Sequence, residues 1–480
     1  MLRARRRPRQ HASSVVCVVL SVLIMVVSGA VAADASLTSA QLKRYPFLTD
    51  VVGSYATINW GTDRSGTEGV VKWGELAGGS CTANSRSSAT SSSVTKTSIT
   101  VNSVSEYQWR ARLSGLKPDV QYCYRIYLGT VDLLGGDPSP TFSTQVPVGS
   151  ATSFSFAVLG DWGSVDGTGQ NPHQANVLRQ IANSGARFAV TTGDVPYGTA
   201  SQTNYGDLVY AKSAVFGPLF WTVAGSSIPF FSLVGNHGLT SAFLTNWRET
   251  RAVSTSGGRY QMDTYCCLDG TASKSYPTVW YAFDAGRVRL YVLDTAWDEA
   301  NVGSGSQYKD DYDYHWAPTG AQYQWLQSDL SSHPATLKVA FFHYPLYSDN
   351  AGQPSDTYLR MDGPGGAASL EGLLSRYGVK LAFNGHAHIY ERNKPQNGVV
   401  TYVTGGGGAP LFAVDHCSPF DAYAIGWSSS TNSGRSCNAP QPASVDQIYH
   451  FLLVSVNGAQ VTVTPIDELG RAFDVQTYAF

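Results

Sequence analysis

The chain has 480 residues, enough for two domains or one large decorated one, and 43% of them are hydrophobic, enough for a sizeable core. With 12% aromatic residues it is not a disordered chain, and its 14% charged content with abundant Gly, Ser and Thr suits an extracellular, loop-rich, β-containing protein. A formal net charge of −2 speaks against a nucleic-acid binder that works by bulk electrostatics.

The first elements lie in the leader. "MLRARRRPRQ" is a basic stretch, Val15–Val27 is apolar, and Ala30-Val31-Ala32 offers a small-residue cleavage site, so residues 1–32 are expected to be a signal peptide. A thirteen-residue apolar run is short for a membrane span, so no stable anchor is expected after cleavage and the protein is expected to be secreted. Removing the five leader arginines from the 33 basic residues leaves 28 against 35 acids. Cys17 leaves as well. The six remaining cysteines allow fifteen pairings; proximity favours Cys81–Cys123 and Cys417–Cys437, leaving the adjacent Cys266 and Cys267. No Asn-x-Ser/Thr sequence occurs, and no C-x-x-C spacing suggests a zinc knuckle.

Residues 40–147 read as an all-β domain. "YATINWGT", "GVVKWGE", "SEYQWRARLSGL" and "QYCYRIYLG" alternate apolar and polar residues between turn-forming stretches, and "SGLKPDVQYCYRI" has the look of a fibronectin-type sandwich. "TANSRSSATSSSVTKTS" reads as a loop or edge strand, and "STQVPVGSATS" as the connection to a second domain.

From residue 151 to the end the pattern changes. "FSFAVLGD", "ARFAVTTGD", "IPFFSLVGNH", "LKVAFFHYP" and "VKLAFNGHAH" are short apolar runs that stop at a ligand-type side chain. "PHQANVLRQIANSG" and "GAQYQWLQSDLSSH" between them read as helices, "VRLYVLDTAW" and "VVTYVTGGGG" as further strands, and 445–480 as a closing β segment. Buried strands alternating with helices give an α/β architecture.

The side chains just past the strand ends are Asp161, Asp194, Asn236, His343, His386 and His388. Ligands bind beyond the carboxyl ends of strands in such sheets. Two carboxylates, an amide oxygen and three imidazoles suit Fe, Mn or Zn better than Ca or Mg, and a shared carboxylate holds two ions about 3.5–4 Å apart.

"GDWG" (160–163), "GDVPY" (193–197), "GNH" (235–237), "VAFFH" (339–343) and "GHAH" (385–388), followed by "YER", resemble the five motifs of the purple acid phosphatases, a branch of the calcineurin-like metallophosphoesterases. The resemblance covers residues 153–404 directly. It implies a sandwich of two mixed β-sheets flanked by helices, preceded by a fibronectin type III-like domain. It further implies that Asp161, Asp194, Tyr197 and His388 hold Fe(III), while Asp194, Asn236, His343 and His386 hold a divalent Fe, Zn or Mn. Metal-bound hydroxide would then attack a small phosphate monoester, with His237 contacting phosphate and protonating the leaving group. Two other readings stand beside this one: a phosphodiesterase or nucleotide hydrolase with the same metals, and a secreted binding protein with a degenerate phosphatase domain.

The chain departs from the family pattern at Gly238, where relatives often carry an acid. It departs again in "YPLYSDNAGQP", where Tyr347, Asp349 and Asn350 stand in a loop that often holds histidines. "TGGGGAP" lacks the Lys-Ser/Thr of a P-loop and reads as a tight turn lining the site. Asp294 ends a strand near the expected site. His173, His333, His416 and His450 read as surface or structural residues, and His315 as one that could reach the site from a loop.

Overall fold

The computed structural model describes residues 42–480 except 66–67, 79, 82–86, 90–93, 199, 213–215, 218, 238–240, 248–262, 265–267, 270–275, 278–279, 296–317, 319–320 and 351–358. The leader, Gly238, Cys266, Cys267 and His315 lie outside the described residues.

Alternating strands form a two-sheet sandwich at the N-terminal end. One sheet runs in the order Leu42–Val52, Tyr55–Thr62, Val104–Leu113, Val94–Val101; the other is built around Gln121–Leu128 and Gly69–Ala77. The serine-rich stretch supplies a short edge strand, Ser87–Ala89, paired with Gly69–Ala77. Trp60 and Trp109 stack at 6.0 Å inside, and Cys81 and Cys123 are disulfide-bonded. Those indole rings belong to the sandwich core, where burying each removes a large apolar area from water.

The later apolar runs form two further sheets. In the first, Phe230–Phe231, Ala189–Thr191 and Phe154–Leu159 run parallel, and the C-terminal strands His450–Asn457, Gln460–Asp467 and Gln476–Ala479 continue it antiparallel. The second has nine strands among the described residues, with Val288–Val292, Leu337–Phe341, Leu381–Asn384 and Val400–Thr404 parallel at its centre. Aromatic side chains pack between the two: Phe156 meets Phe341 at 6.3 Å, Phe188 meets Phe283 at 5.6 Å, and Phe231 meets Phe283 at 4.0 Å.

The helices fall where the sequence places them. Pro172–Asn183 is capped by Asn171, whose side chain accepts from the Gln174 N–H, with Pro172 at the first helical position. Ala321–Ser332 forms the second. The Cys417–Cys437 disulfide closes the far edge of the nine-stranded sheet.

The N-terminal sandwich is tied to the rest through polar groups. Leu48 N–H donates to Gly225 O at 2.9 Å, and Tyr124 Oη donates to Ser226 O at 2.7 Å. The buried Arg44 guanidinium donates to Gln108, Asn246 and the Gly206 carbonyl. A buried cation needs such partners to offset its lost hydration.

Candidate metal centre

Three of the five loops leave one sheet and two leave the other, so the side chains meet between facing sheet ends rather than along one edge. Asp161 follows Leu159, Asp194 follows Thr191, and Asn236 follows Phe231; His343 follows Phe341, and His386 follows Asn384. Asp161, Asp194 and His386 all adopt left-handed backbone, with φ of 55°, 46° and 67°. Non-glycine residues there cost of order 1–3 kcal/mol each, and such strain concentrates at functional sites.

The glycines before them are required by space. A Cβ on Gly385 would lie 2.6 Å from Asp161 Oδ2 and from the Thr192 carbonyl. Gly193 has φ of +103°, and a Cβ there would overlap the His343 ring. Gly405 packs against the Ala387 backbone and Gly407 against the Gly160 carbonyl, while Gly406 packs against His450 and the Ile448 carbonyl. Gly407 N–H donates to Gly160 O at 3.0 Å and Ala409 N–H to Asp161 O at 2.7 Å. The glycine run therefore braces two ligand loops from behind, as a tight turn at the site.

The donor atoms fall into two groups. In one, the Tyr197 hydroxyl lies 2.8 Å from His388 Nε2 and 3.4 Å from Asp161 Oδ1. In the other, Asn236 Oδ1 lies 2.8 Å from His343 Nε2 and 3.0 Å from His386 Nδ1, with Asp194 Oδ1 3.5 Å from His343 Nε2. Ligand atoms of Asp161, Asp194 and His343 lie within 4.8 Å of one another, all three residues buried. All seven residues expected to bind metal are thus brought together.

Two imidazoles are oriented by backbone. His343 Nδ1 lies 2.8 Å from the Thr192 carbonyl, and His388 Nδ1 lies 2.8 Å from the Pro410 carbonyl. A carbonyl only accepts, so each Nδ1 carries a proton, and in the neutral ring each Nε2 turns its lone pair toward the centre. These carbonyls were invisible in the sequence, because no side-chain type marks them.

The protonation balance points the same way. Burial opposes the Asp194 charge, but the imidazoles of His343 and His237 and the His237 N–H overrule it and hold the carboxyl well below its usual range. Burial likewise works against His343⁺, yet Asp194 raises that imidazole to about 9. Burial and then His343 push His386 well below its ordinary value. Burial, Asp161 and Asp194 push the Tyr197 phenol well above its ordinary value. A bound cation inverts this logic, because it favours phenolate, carboxylate and neutral imidazole together. The donor set therefore fits a pair of metal ions.

His237 is half-buried. Its N–H donates to Asp194 Oδ1 at 2.9 Å, and its ring lies 4.5 Å from that of Tyr197. Trp162, next to Asp161, is fully buried against Phe216, Phe220 and Phe230 and anchors its loop. Tyr344, which nothing in the sequence singles out, packs 4.5 Å from the His386 ring, with its hydroxyl buried and lacking a hydrogen-bond partner among the described residues.

The loop after His343 behaves differently. Tyr347 Oη donates to Glu371, Asn350 Nδ2 donates to the Ala413 carbonyl, and Asp349 is fully buried. These side chains serve internal contacts. Gln322 brackets the backbone of Asp294 at 2.9 Å on both sides. His173 pairs with Glu468, His333 with Asp284 and His416 with Asp415, while His450 is buried between Thr404 and the Ile448 carbonyl.

Known families match both regions. The calcineurin-like phosphoesterase family model matches residues 154–390, and the purple acid phosphatase N-terminal domain matches residues 48–146. The chain belongs to the purple acid phosphatase family. Purple acid phosphatase 21 of Arabidopsis thaliana is 29% identical over 287 residues, 59% of this chain and 53% of that protein. Purple acid phosphatase 15 of the same plant is 24% identical over 340 residues, 64% of this chain and 54% of that protein. The chain thus spans about half the length of these curated relatives. A solved purple acid phosphatase from yellow lupin seeds shares the fold, with a TM-score of 0.62 at 17% identity over 92% of this chain and 74% of that one. The family implies a binuclear metal centre, and the residues gathered here fit one.

Proposed function

We propose that this protein is a secreted phosphomonoesterase acting on small phosphate esters through an Fe(III)–divalent metal pair. The observation that carries this reading is the meeting of all seven expected ligands between the ends of two sheets, in two donor groups joined by Asp194. Asp161, Tyr197 and His388, with Asp194, would hold Fe(III), since a phenolate is a hard anionic donor. Asn236, His343 and His386, with Asp194, would hold the divalent ion, which is Fe, Zn or Mn. Such a pair supplies, when bound, Lewis acidity and activation of water.

The chain's own residues do the rest. The Thr192 and Pro410 carbonyls keep His343 and His388 in the binding tautomer. His237 contacts the phosphate and passes a proton to the departing alcohol, a role worth about 10²–10⁴-fold in rate. The leader and the two disulfides support export; mature protein in the medium beginning at Ala33 is the expected result. Residues 40–147 and 151–480 are read as the two domains.

The test is the rate on an aryl phosphate against its bis-aryl diester. A strong preference for the monoester supports the proposal. Preference for the diester supports the phosphodiesterase reading, and no turnover of either by metal-loaded protein supports the degenerate one.

A further inference from the structure

A second group of carboxylates lies off the candidate metal centre. Asp349, Glu391 and Asp421 are all fully buried, with ligand atoms within 4.8 Å of one another. They come from three places: the loop after His343, the strand Tyr390–Asn393, and the strand Asp421–Ser428.

Each carboxylate uses one oxygen to fix itself and leaves the other unmatched. Asp349 Oδ1 accepts from Ser418 N–H at 3.2 Å, Glu391 Oε2 from Asp349 N–H at 2.8 Å, and Asp421 Oδ1 from the Ser418 hydroxyl at 2.6 Å. Asp349 Oδ2, Glu391 Oε1 and Asp421 Oδ2 are buried without a hydrogen-bond partner among the described residues. No lysine or arginine among the described residues pairs with any of the three, and the stretch 351–358, "AGQPSDTY", contains none.

Uncharged polar groups lie on the same strand face as Glu391. Asn393 is fully buried, two residues from Glu391 on the same strand face, and opposite Asp421 in register. Its amide lies near enough to favour the Glu391 charge, yet neither Oδ1 nor Nδ2 completes a hydrogen bond among the described residues. A β-bulge between Arg392 and Asn393 shifts the pairing by one residue. Without that shift Asp421 would fall on the other face, since Ala424 is the partner of Glu391. Thr401 is buried with its hydroxyl unpartnered among the described residues, two residues along from Val403, which pairs with Glu391.

Unpaired buried charges and unmade buried hydrogen bonds are both costly. Three buried carboxylates within 4.8 Å of one another, with two unmatched neutral groups on the same strand face as Glu391, need either a cation or protons. Oxygens on opposite sides of a calcium ion at about 2.4 Å each are about 4.8 Å apart, and calcium takes six to eight oxygen ligands with flexible geometry. An all-oxygen donor set selects a hard ion over Fe or Zn. We propose that Asp349, Glu391 and Asp421, with Asn393 and Thr401, form a calcium-type cation site separate from the candidate metal centre. The ion would tie together the loop after His343, the strand after His388 and the turn held by the Cys417–Cys437 disulfide.

The test uses the full chain as purified. Elemental analysis after exchange into calcium-containing buffer is expected to give one calcium per chain besides any transition metal. Raising calcium from chelated to millimolar levels, at constant magnesium and zinc, is expected to raise Tm by about 3–5 °C. Asp421→Asn, nearly isosteric, is expected to lose both the calcium and the Tm response while keeping its transition metals. Absence of calcium in the wild-type protein with an unmoved Tm overturns the proposal and leaves a proton-sharing cluster. A calcium response that persists in Asp421→Asn also overturns it. The wild-type measurements decide alone if the variant does not fold.

Discussion

Two clusters of buried carboxylates sit on neighbouring segments of this chain, and they are built in opposite ways. At the candidate metal centre, Asp161 and Asp194 are matched by imidazoles, a phenol and an amide, and His388 and His343 are their ion-pair partners. Six residues after His343 and three after His388, Asp349 and Glu391 face Asp421 with no imidazole and no cation among the described residues. The first set mixes nitrogen and oxygen donors and suits borderline transition metals; the second offers oxygen alone and suits a hard ion. Donor chemistry, rather than the number of acids, separates a centre that can do chemistry from one that can only brace it.

The largest expected effect comes from the shared carboxylate. Asp194→Ala should lose both transition metals and at least about 10³-fold in kcat, because metal activation and positioning fail together; retained metal with retained turnover would remove Asp194 from the site. His237→Gln should lower kcat about 10²-fold with metal content unchanged; a simultaneous loss of metal would make it a supporting residue instead. Gly193→Ala should destabilise by about 1–3 kcal/mol in a denaturant titration and weaken metal binding, since it strains a backbone at φ +103° and displaces His343.

The smallest effect belongs to the second cluster. Burial, followed by Asp421, raises the Asp349 carboxyl to about 7, and burial with Asp349 also raises Glu391. Without calcium the folded chain then holds protons that the unfolded chain has released. Stability should be greatest below about pH 4 as far as this cluster is concerned, and should fall between about pH 4 and 7. Saturating calcium should flatten that slope in thermal melts. An identical slope with and without calcium would erase the distinction between the clusters.

The two clusters also differed in how legible they were. Asp161, Asp194, His343 and His386 stand at the ends of short apolar runs, so strand burial and loop position announce them together. Asn236 and His388 stand just past such ends as well, and only Tyr197 follows from the family motifs. The split of the five loops between two sheets was not readable from the strand ends, because each run looks alike whichever sheet receives it. The partners of Asp349 were illegible for a stronger reason. Glu391 and Asn393 sit inside a strand where acids read as solvent-facing, and Asp421 joins them through a bulge that shifts the register by one residue. The same loop carries Tyr347, Asp349 and Asn350 where relatives often have histidines, and internal bonds take these three up.

Metal content and the visible spectrum of the purified wild-type protein, measured beside Tyr197→Phe, decide whether the candidate centre holds an Fe(III)–divalent pair. Two transition-metal ions per chain are expected, one of them iron, with a violet band that disappears in the variant while both ions remain. A colourless, iron-free protein with full phosphatase activity would contradict the Fe(III) assignment, and full activity with fewer than two such ions would contradict the binuclear centre itself.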